Sequence, residues 1–491
     1  MVEAAGQQPL HSLDQAFHFV VNSCTHAWEV IGPGGQLHPE LFIQSNGHLL
    51  LEGLLAVVIG YLLLQRSYKP SSAKKDADLT EQEIDQLCDE WKPEPLVPDV
   101  PADRKLQAPV ITSEVGRHVT MGGKRVINMA SCDFLGIAGD PVIKDMCRKT
   151  IEKYGVGSCG PRGFYGTIDV HLELEARLSK FMGTEEAIIY SYDLATVPSV
   201  IPAFANAKDV LICDEGVSWA VQNGCVLSRA KIRPFKHNDM ADLRRVIQKE
   251  AADHAKQRKP LNRRFIIVEG VYAGSGDIAP MDEIFKLKEE FCYRLVVDES
   301  NALGVLGKRG RGACEHFGLE PQQVEIVTAT MGNALSSVGG FCCGNHEMVD
   351  HQRLSGLGYC FSASLPPYLA TAAIGALDVL ESKWSGLQER LQQNAITMRS
   401  LLHDIPGLKM IGSDADSLSA VIHLQAKAAQ QIVDHVLDSS SICISCQYRS
   451  CLELKQTEPT IRLVVTAAHE QQDLQQAAAA LRQAARLHGL Q

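Results

Sequence analysis

From residue 107 onward, short apolar runs suited to strands alternate with stretches of helical periodicity, and this rhythm constrains the chain more than any other feature. Strands are expected at 187–190, 210–213, 232–235, 265–270, 293–297, 326–329 and 340–343, and helical patterning covers 170–180, 240–255 and 281–291. Strands each followed by a helix predict a mainly parallel sheet covered on both faces, an α/β architecture. Functional side chains then belong outside the carboxyl ends of the strands. After Pro366 and Pro367 a long helical run, 368–401, leads into a smaller α/β lobe.

The expected organisation has five parts: an amphipathic segment (1–47), a membrane helix (48–66), a linker with a Pro-rich stretch (67–106), a large domain (107–367), and a connecting helix with a small C-terminal lobe (368–491). A formal charge of -11 leaves no basic field for phosphates and excludes nucleic acid as a partner. Fifteen scattered cysteines are not a disulfide framework and point to a reducing compartment. Cys443, Cys446 and Cys451 lack a matching Cys/His pair downstream, so no metal site is expected.

Residues 1–47 hold no Lys or Arg, which excludes an ordinary signal peptide, and 13–31 reads as an amphipathic helix at an interface. Residues 49–64 are apolar except for Glu52. At a helical rise they span roughly 24 Å, against a hydrocarbon core of about 30 Å. A buried core helix is the plainer reading. Arg66, Lys69, Lys74 and Lys75 follow with no basic residue before, which favours a membrane helix with the main domain in the cytosol. Pro70, Pro93, Pro95, Pro98, Pro101 and Pro109 then mark an extended linker around one short helix, 79–91.

The stretch VEIVTATMGNALSSVGGFCCG (324–344) joins an apolar strand, small residues, Asn333 and the pair Gly339-Gly340. Such a strand, turn and Gly-Gly step delivers one side chain into a pocket at a strand end. That side chain is an amide, which is not basic and cannot form an imine. No lysine occurs from Arg309 to Ser382, so a slip of register does not supply one.

Further segments carry a resemblance in order: YGVGSCGPRGFYGT (154–167), KHNDM (236–240), VEGVYAGSGDIAP (268–280), DESNALGVLGKRGRGACEHFG (298–318), FSASLPP (361–367) and RLVVTAAH (462–469). Together with Thr330, Asn333 and the Gly-Gly pair they resemble the α-oxoamine synthases, fold-type I transferases dependent on pyridoxal phosphate, over about 105–489. In that family a lysine holds the cofactor where Asn333 stands. Asn301 replaces the His of the family's DEAH segment, and Ser218 falls where a His stacks on the cofactor ring. Neither amide nor hydroxyl takes over acid/base work near pH 7. Asp298, whose carboxylate would pair with the ring nitrogen, and Thr330 are by that resemblance retained pocket positions that can stand idle, although acids at strand ends are also common caps.

WKPEPLVP (91–98), GPRGFYGT, NALSSVGGFCCG and the N-terminal apolar segment are similar, more narrowly, to the lysine-less long-chain-base subunits of serine palmitoyltransferases. The resemblance implies no catalytic residue in this chain and a heterodimer with the lysine-bearing long-chain-base subunit 2, which holds the pyridoxal phosphate covalently. That complex condenses L-serine with palmitoyl-CoA to 3-ketosphinganine at the endoplasmic reticulum membrane, with membrane lipid and small regulatory membrane proteins as further partners. The interface loop carries Gly157, Cys159, Gly160, Arg162 and Tyr165, with Arg162 offering two parallel hydrogen bonds to an anion and Cys159 packed. Ser362 and Ser364 match a segment that contacts the cofactor phosphate across the dimer. His171, on a helix surface, and Arg462 read as structural. The rivals are a self-sufficient synthase, which the missing lysine opposes, and a membrane scaffold that shares the fold without serving an active site.

Overall fold

The computed structural model describes residues 47–64, 79–96, 109–257, 262–412, 417–449, 453–455 and 457–488. Seven strands build the main sheet: β1 (Glu186–Tyr190), β2 (Val210–Asp214), β3 (Lys231–Phe235), β4 (Arg264–Glu269), β5 (Arg294–Asp298), β6 (Ile326–Thr330) and β7 (Gly340–Gly344). Their order across the sheet is β1-β7-β6-β5-β4-β2-β3. β2 to β6 run parallel, while β7 lies antiparallel between β1 and β6. All seven expected strands are present, each within about one residue of its expected ends. The central strands are buried along their length, as a sheet covered on both faces requires.

The register brings Tyr190, Gly340, Thr330, Asp298, Glu269 and Asp214 to one edge of the sheet. Because β7 runs backwards, it starts at this edge, and the residues between β6 and β7 form a hairpin loop there. Met331 N–H donates to Gly339 O (2.8 Å), closing that loop. Gly339 adopts φ +91°, and a Cβ on it would lie 2.4 Å from Tyr190 O, so only glycine fits.

Helices Asp169–Met182, Met240–Gln257 and Met281–Phe291 lie where periodicity places them. Helix Asp193–Phe204 was not indicated by the pattern; Pro198 and Pro202 inside it each remove a backbone donor. The long helix Pro367–His403 packs on Pro141–Tyr154 and on the C-terminal helix Gln471–Leu487, tying the lobes together. The C-terminal lobe carries an antiparallel sheet of Lys409–Ile411, Val421–Gln425, Thr460–Val464 and Ser445–Gln447. Strand Lys124–Asn128 pairs with Ile442–Cys443 of that lobe, although more than 300 residues separate them.

By contact, the chain divides into Met1–Leu106 and Gln107–Gln491. In the first unit, Gly47–Leu64 is helical over 18 residues, or roughly 27 Å. Leu54, Leu55, Val57, Ile59, Leu62, Leu63 and Leu64 on it are exposed. Among the described residues no helix is long and apolar enough to cross a membrane. Of the helix expected over 48–66, the described part is helical to Leu64, but a crossing is not what the structure shows. The segment is about 3 Å short of the hydrocarbon thickness and carries Glu52 in its second turn. The amphipathic segment expected at 13–31, and Arg66, Lys69, Lys74 and Lys75, lie outside the described residues. Helix Glu81–Glu90 begins at a capping box, with Thr80 N–H donating to Glu83 Oε2 (2.9 Å), and stops short of Pro93.

Candidate functional site

The carboxyl edge of β4, β5 and β6 gathers the expected pocket residues. Asn333, in the hairpin loop, turns its amide onto the loop after β5: Nδ2 donates to Ser300 O (2.8 Å) and to Asn301 Oδ1 (3.2 Å). Asn301 Nδ2 reaches toward Val271 O at 3.5 Å. Thr330 Oγ1 accepts from Gly332 N–H (3.0 Å), so it shapes the turn that carries Asn333. Asp298 is buried; one carboxylate oxygen accepts from Ser300 N–H (2.9 Å) and the other from the Thr328 hydroxyl (2.9 Å). Ser218 contributes its backbone N–H, which donates to Glu269 Oε1 (2.6 Å), while Ala273 N–H donates to the other oxygen (2.9 Å).

Glu269 and Asp298 are direct neighbours across β4 and β5. Burial raises the pKa of both carboxyls, and the Asp298 charge adds to the effect on Glu269, which is raised to about 7. This cluster contains amides, hydroxyls and carboxyls, and neither the lysine nor the imidazoles of a condensing pocket. Its residues do not fit a covalently held pyridoxal phosphate: position 333 offers no primary amine and Ser218 offers no ring to stack.

Three strands away the edge keeps a different arrangement, which the sequence reading did not single out. His237 lies between two acids, Nδ1 against Asp214 Oδ1 (2.8 Å) and Nε2 against Asp277 Oδ2 (2.9 Å). The Tyr272 hydroxyl donates to the other Asp214 oxygen (3.1 Å), and its ring meets His237 edge-on at 4.4 Å. Burial opposes a charge on His237, but the two carboxylates outweigh it and hold its pKa at about 9, so the imidazolium form prevails. KHND and SGDIAP carried the signal; the pairing of segments 40 residues apart did not show in either alone.

The expected interface loop lies beside FSASLPP. Ser364 N–H and Oγ both donate to Gly160 O (2.9 and 3.0 Å), Ser158 Oγ donates to Ser364 O (2.8 Å), and Ser362 Oγ donates to Gly358 O (2.5 Å). A Cβ on Gly166 would stand 1.9 Å from Gly160 O, so the loop closes tightly on itself there. Gly157 has open space around it. Arg162, expected to offer its fork to an anionic ligand, instead closes it on Glu175 (2.9 and 2.9 Å) and is buried. A buried guanidinium needs a carboxylate of its own, and Glu175 on the adjacent helix supplies it. Cys159, expected to pack, is exposed, as are Phe164 and Tyr165, and both Cys159 and Tyr165 hold positive φ (59° and 63°). His171 is buried rather than on a surface, with Nδ1 accepting from Ile168 N–H (3.1 Å) and Nε2 against Leu365 O (2.6 Å). Arg462 contacts Cys132 Sγ (2.9 Å).

A large parallel sheet with one reversed strand and a smaller C-terminal lobe defines a class, and residues 124–481 match the family Aminotransferase class I and II. The chain belongs to that family, and within it to the group of long chain base biosynthesis protein 1 and serine palmitoyltransferase 1. It is 46% identical over 454 residues to long chain base biosynthesis protein 1b of Oryza sativa subsp. japonica, covering 90% of this chain and 92% of that protein. It is 41% identical to serine palmitoyltransferase 1 of Dictyostelium discoideum, covering 86% and 90%. Among solved structures, serine palmitoyltransferase from S. paucimobilis superposes with a TM-score of 0.71 at 26% identity, covering 78% of this chain and 94% of that one.

Proposed function

We propose that this chain is the non-catalytic subunit of a serine palmitoyltransferase, working as a heterodimer with a lysine-bearing subunit that holds the pyridoxal phosphate. The complex condenses L-serine with palmitoyl-CoA, releasing CO2 and CoA, to give 3-ketosphinganine. The observation that carries the reading is Asn333: its amide, which the resemblance matches to the cofactor lysine of the family, is hydrogen-bonded to Ser300 and Asn301. The names of the relatives, serine palmitoyltransferase 1 among them, support the enzyme assignment.

The chain's contribution to the complex is structural completion of the partner's pocket. Exposed Phe164, Tyr165, Leu357 and Phe361 support this, because they lie on or beside the segments Arg162–Gly166 and Leu357–Cys360, which pack against each other. Such a patch suits burial against a second chain. The Arg162–Glu175 pair and the Ser158, Ser364 and Gly160 hydrogen bonds hold the loop in shape for that contact. The exposed apolar helix Gly47–Leu64 supports a place at the endoplasmic reticulum membrane, where acyl chain and product both reside.

Borohydride reduction in the presence of pyridoxal phosphate, followed by peptide mapping, tests the reading on this chain alone and then with its partner. Label confined to the partner's lysine is the expected result. Label on a lysine of this chain, obtained without the partner, rejects the proposal.

A further inference from the structure

Below the segment that follows β5 lies a cavity of about 490 Å³, whose walls include Lys308, Arg309, Arg311, Phe317, Leu319 and Val327. Its lining mixes these cations and apolar side chains with Glu299, Glu315 and Glu320. Glu315 and Glu320 act on Arg311 through their charge, but none of the three basic side chains makes a direct ion pair among the described residues. Arg311 is the most constrained: its Nε is buried and has no hydrogen-bond partner. Leaving a charged donor buried and unmet is costly, and such atoms call for a partner. Burial, and then the neighbouring Arg309 charge, depress the Arg311 pKa, against the opposing pull of Glu315 and Glu320.

The carboxylates of the same wall are committed elsewhere. Glu299 accepts from Ala313 N–H and Cys314 N–H (2.9 Å each), and Glu315 Oε2 accepts from the backbone N–H groups of Arg309 (2.9 Å) and Arg311 (3.2 Å). Glu320 caps the turn Pro321–Gln323. The basic segment is also held rigidly. Trp384 Nε1 donates to Lys308 O (3.0 Å) and Gln388 Nε2 donates to Gly307 O (2.8 Å), pinning it to the long helix. Gly183, at φ +76°, keeps space for the guanidinium: a Cβ there would approach Arg311 Nη1 to 2.9 Å. A fixed fork, two further cations and an apolar wall match an anion with a hydrocarbon neighbour.

We propose that this cavity binds a phosphate monoester bearing an apolar group, the phosphate on Lys308, Arg309 and Arg311 and the apolar group against Phe317, Leu319 and Val327. The site is separate from the strand-end pocket and does not depend on the enzyme assignment.

Calorimetric titration of the full chain with hexyl phosphate, inorganic phosphate and hexanol tests it. Saturable binding of hexyl phosphate is expected, weaker for phosphate and absent for hexanol. The double variant Lys308→Gln/Arg309→Gln should lose about tenfold or more in affinity with its melting temperature unchanged, and binding should weaken as salt rises. Arg311→Met should abolish binding; a folded Arg311→Met variant that binds as the parent does overturns the assignment. So does a failure of hexyl phosphate to bind, or equal affinity for phosphate and hexyl phosphate. Flotation with vesicles containing phosphatidic acid separates the sources: binding of both vesicles and hexyl phosphate marks a lipid headgroup, and hexyl phosphate alone marks a soluble ester.

Discussion

At one end of the sheet's carboxyl edge, around β5 and β6, the amides of Asn333 and Asn301 and the Thr330 hydroxyl gather without a basic group among them. At the other end, beyond β2 and β3, His237 remains clamped between Asp214 and Asp277. Both ends bury carboxylates, yet their charge states differ. Where the base is present, the acids hold it protonated. Where it is missing, Asp298 and Glu269 are themselves pushed toward the protonated form. The two ends thus share a backbone frame and differ in which side chains carry charge.

The largest effect expected comes from the buried pair that shapes the loop. Glu175→Ala strands Arg162 without its carboxylate and should cost about 3–5 kcal/mol in urea unfolding. A cost under about 1 kcal/mol would mean that the loop, unlike the His237 corner, does not depend on a paired charge.

His237→Gln comes next. Its folded pKa, about 9, lies above the unfolded value of 6.5, so the folded state binds the extra proton between these pH values. The stabilisation is fully present below pH 6.5 and disappears as pH rises through 9, amounting to about 3 kcal/mol at the acid end. Urea midpoints of parent and variant should converge by about pH 10. A deficit of equal size at every pH would assign the role to packing against Tyr272 instead.

Glu269→Gln tests the opposite corner. A carboxyl raised to about 7 destabilises the fold as it ionises, so stability should fall between pH 4.5 and about 7 in the parent. The neutral variant should flatten that decline and gain up to about 3 kcal/mol at pH 8, less the loss of one acceptor for the Ser218 or Ala273 N–H, read from the same unfolding curves. An unchanged pH profile would place the ionisation elsewhere.

The smallest change concerns Tyr165, whose φ of 63° suits glycine. Tyr165→Gly should leave the stability of the isolated chain within about 0.5 kcal/mol, since relief of strain offsets the added freedom of the unfolded chain. The activity of the assembled complex should nevertheless drop, with assembly by size-exclusion chromatography intact. Full activity would remove the loop from any role at the partner's pocket.

The sheet was legible because its strands are continuous apolar runs; 210–213 and 265–268 leave little choice of conformation. The reversed direction of β7 was not, since a five-residue run carries no sense of direction. The Asn333 substitution was visible as a residue identity, whereas its bonding to Ser300 and Asn301 depends on how two loops meet. Arg162 misled for a related reason. A guanidinium in a Gly-rich loop suggests an anion site, and Glu175, 13 residues on, looks like one more helix-surface acid until the helix is docked. His237 and Asp277 likewise meet only through tertiary folding.

The two bonds made by the Asn333 amide also bear on descent. A lysine restored at 333 would forfeit them and face Ser218 and Asn301, neither of which moves protons near neutrality. One reversion alone therefore brings no working site on which selection could act, while the present amide is already satisfied. Under the proposed function the amide behaves as a ratchet, tying the worth of this chain to a companion subunit.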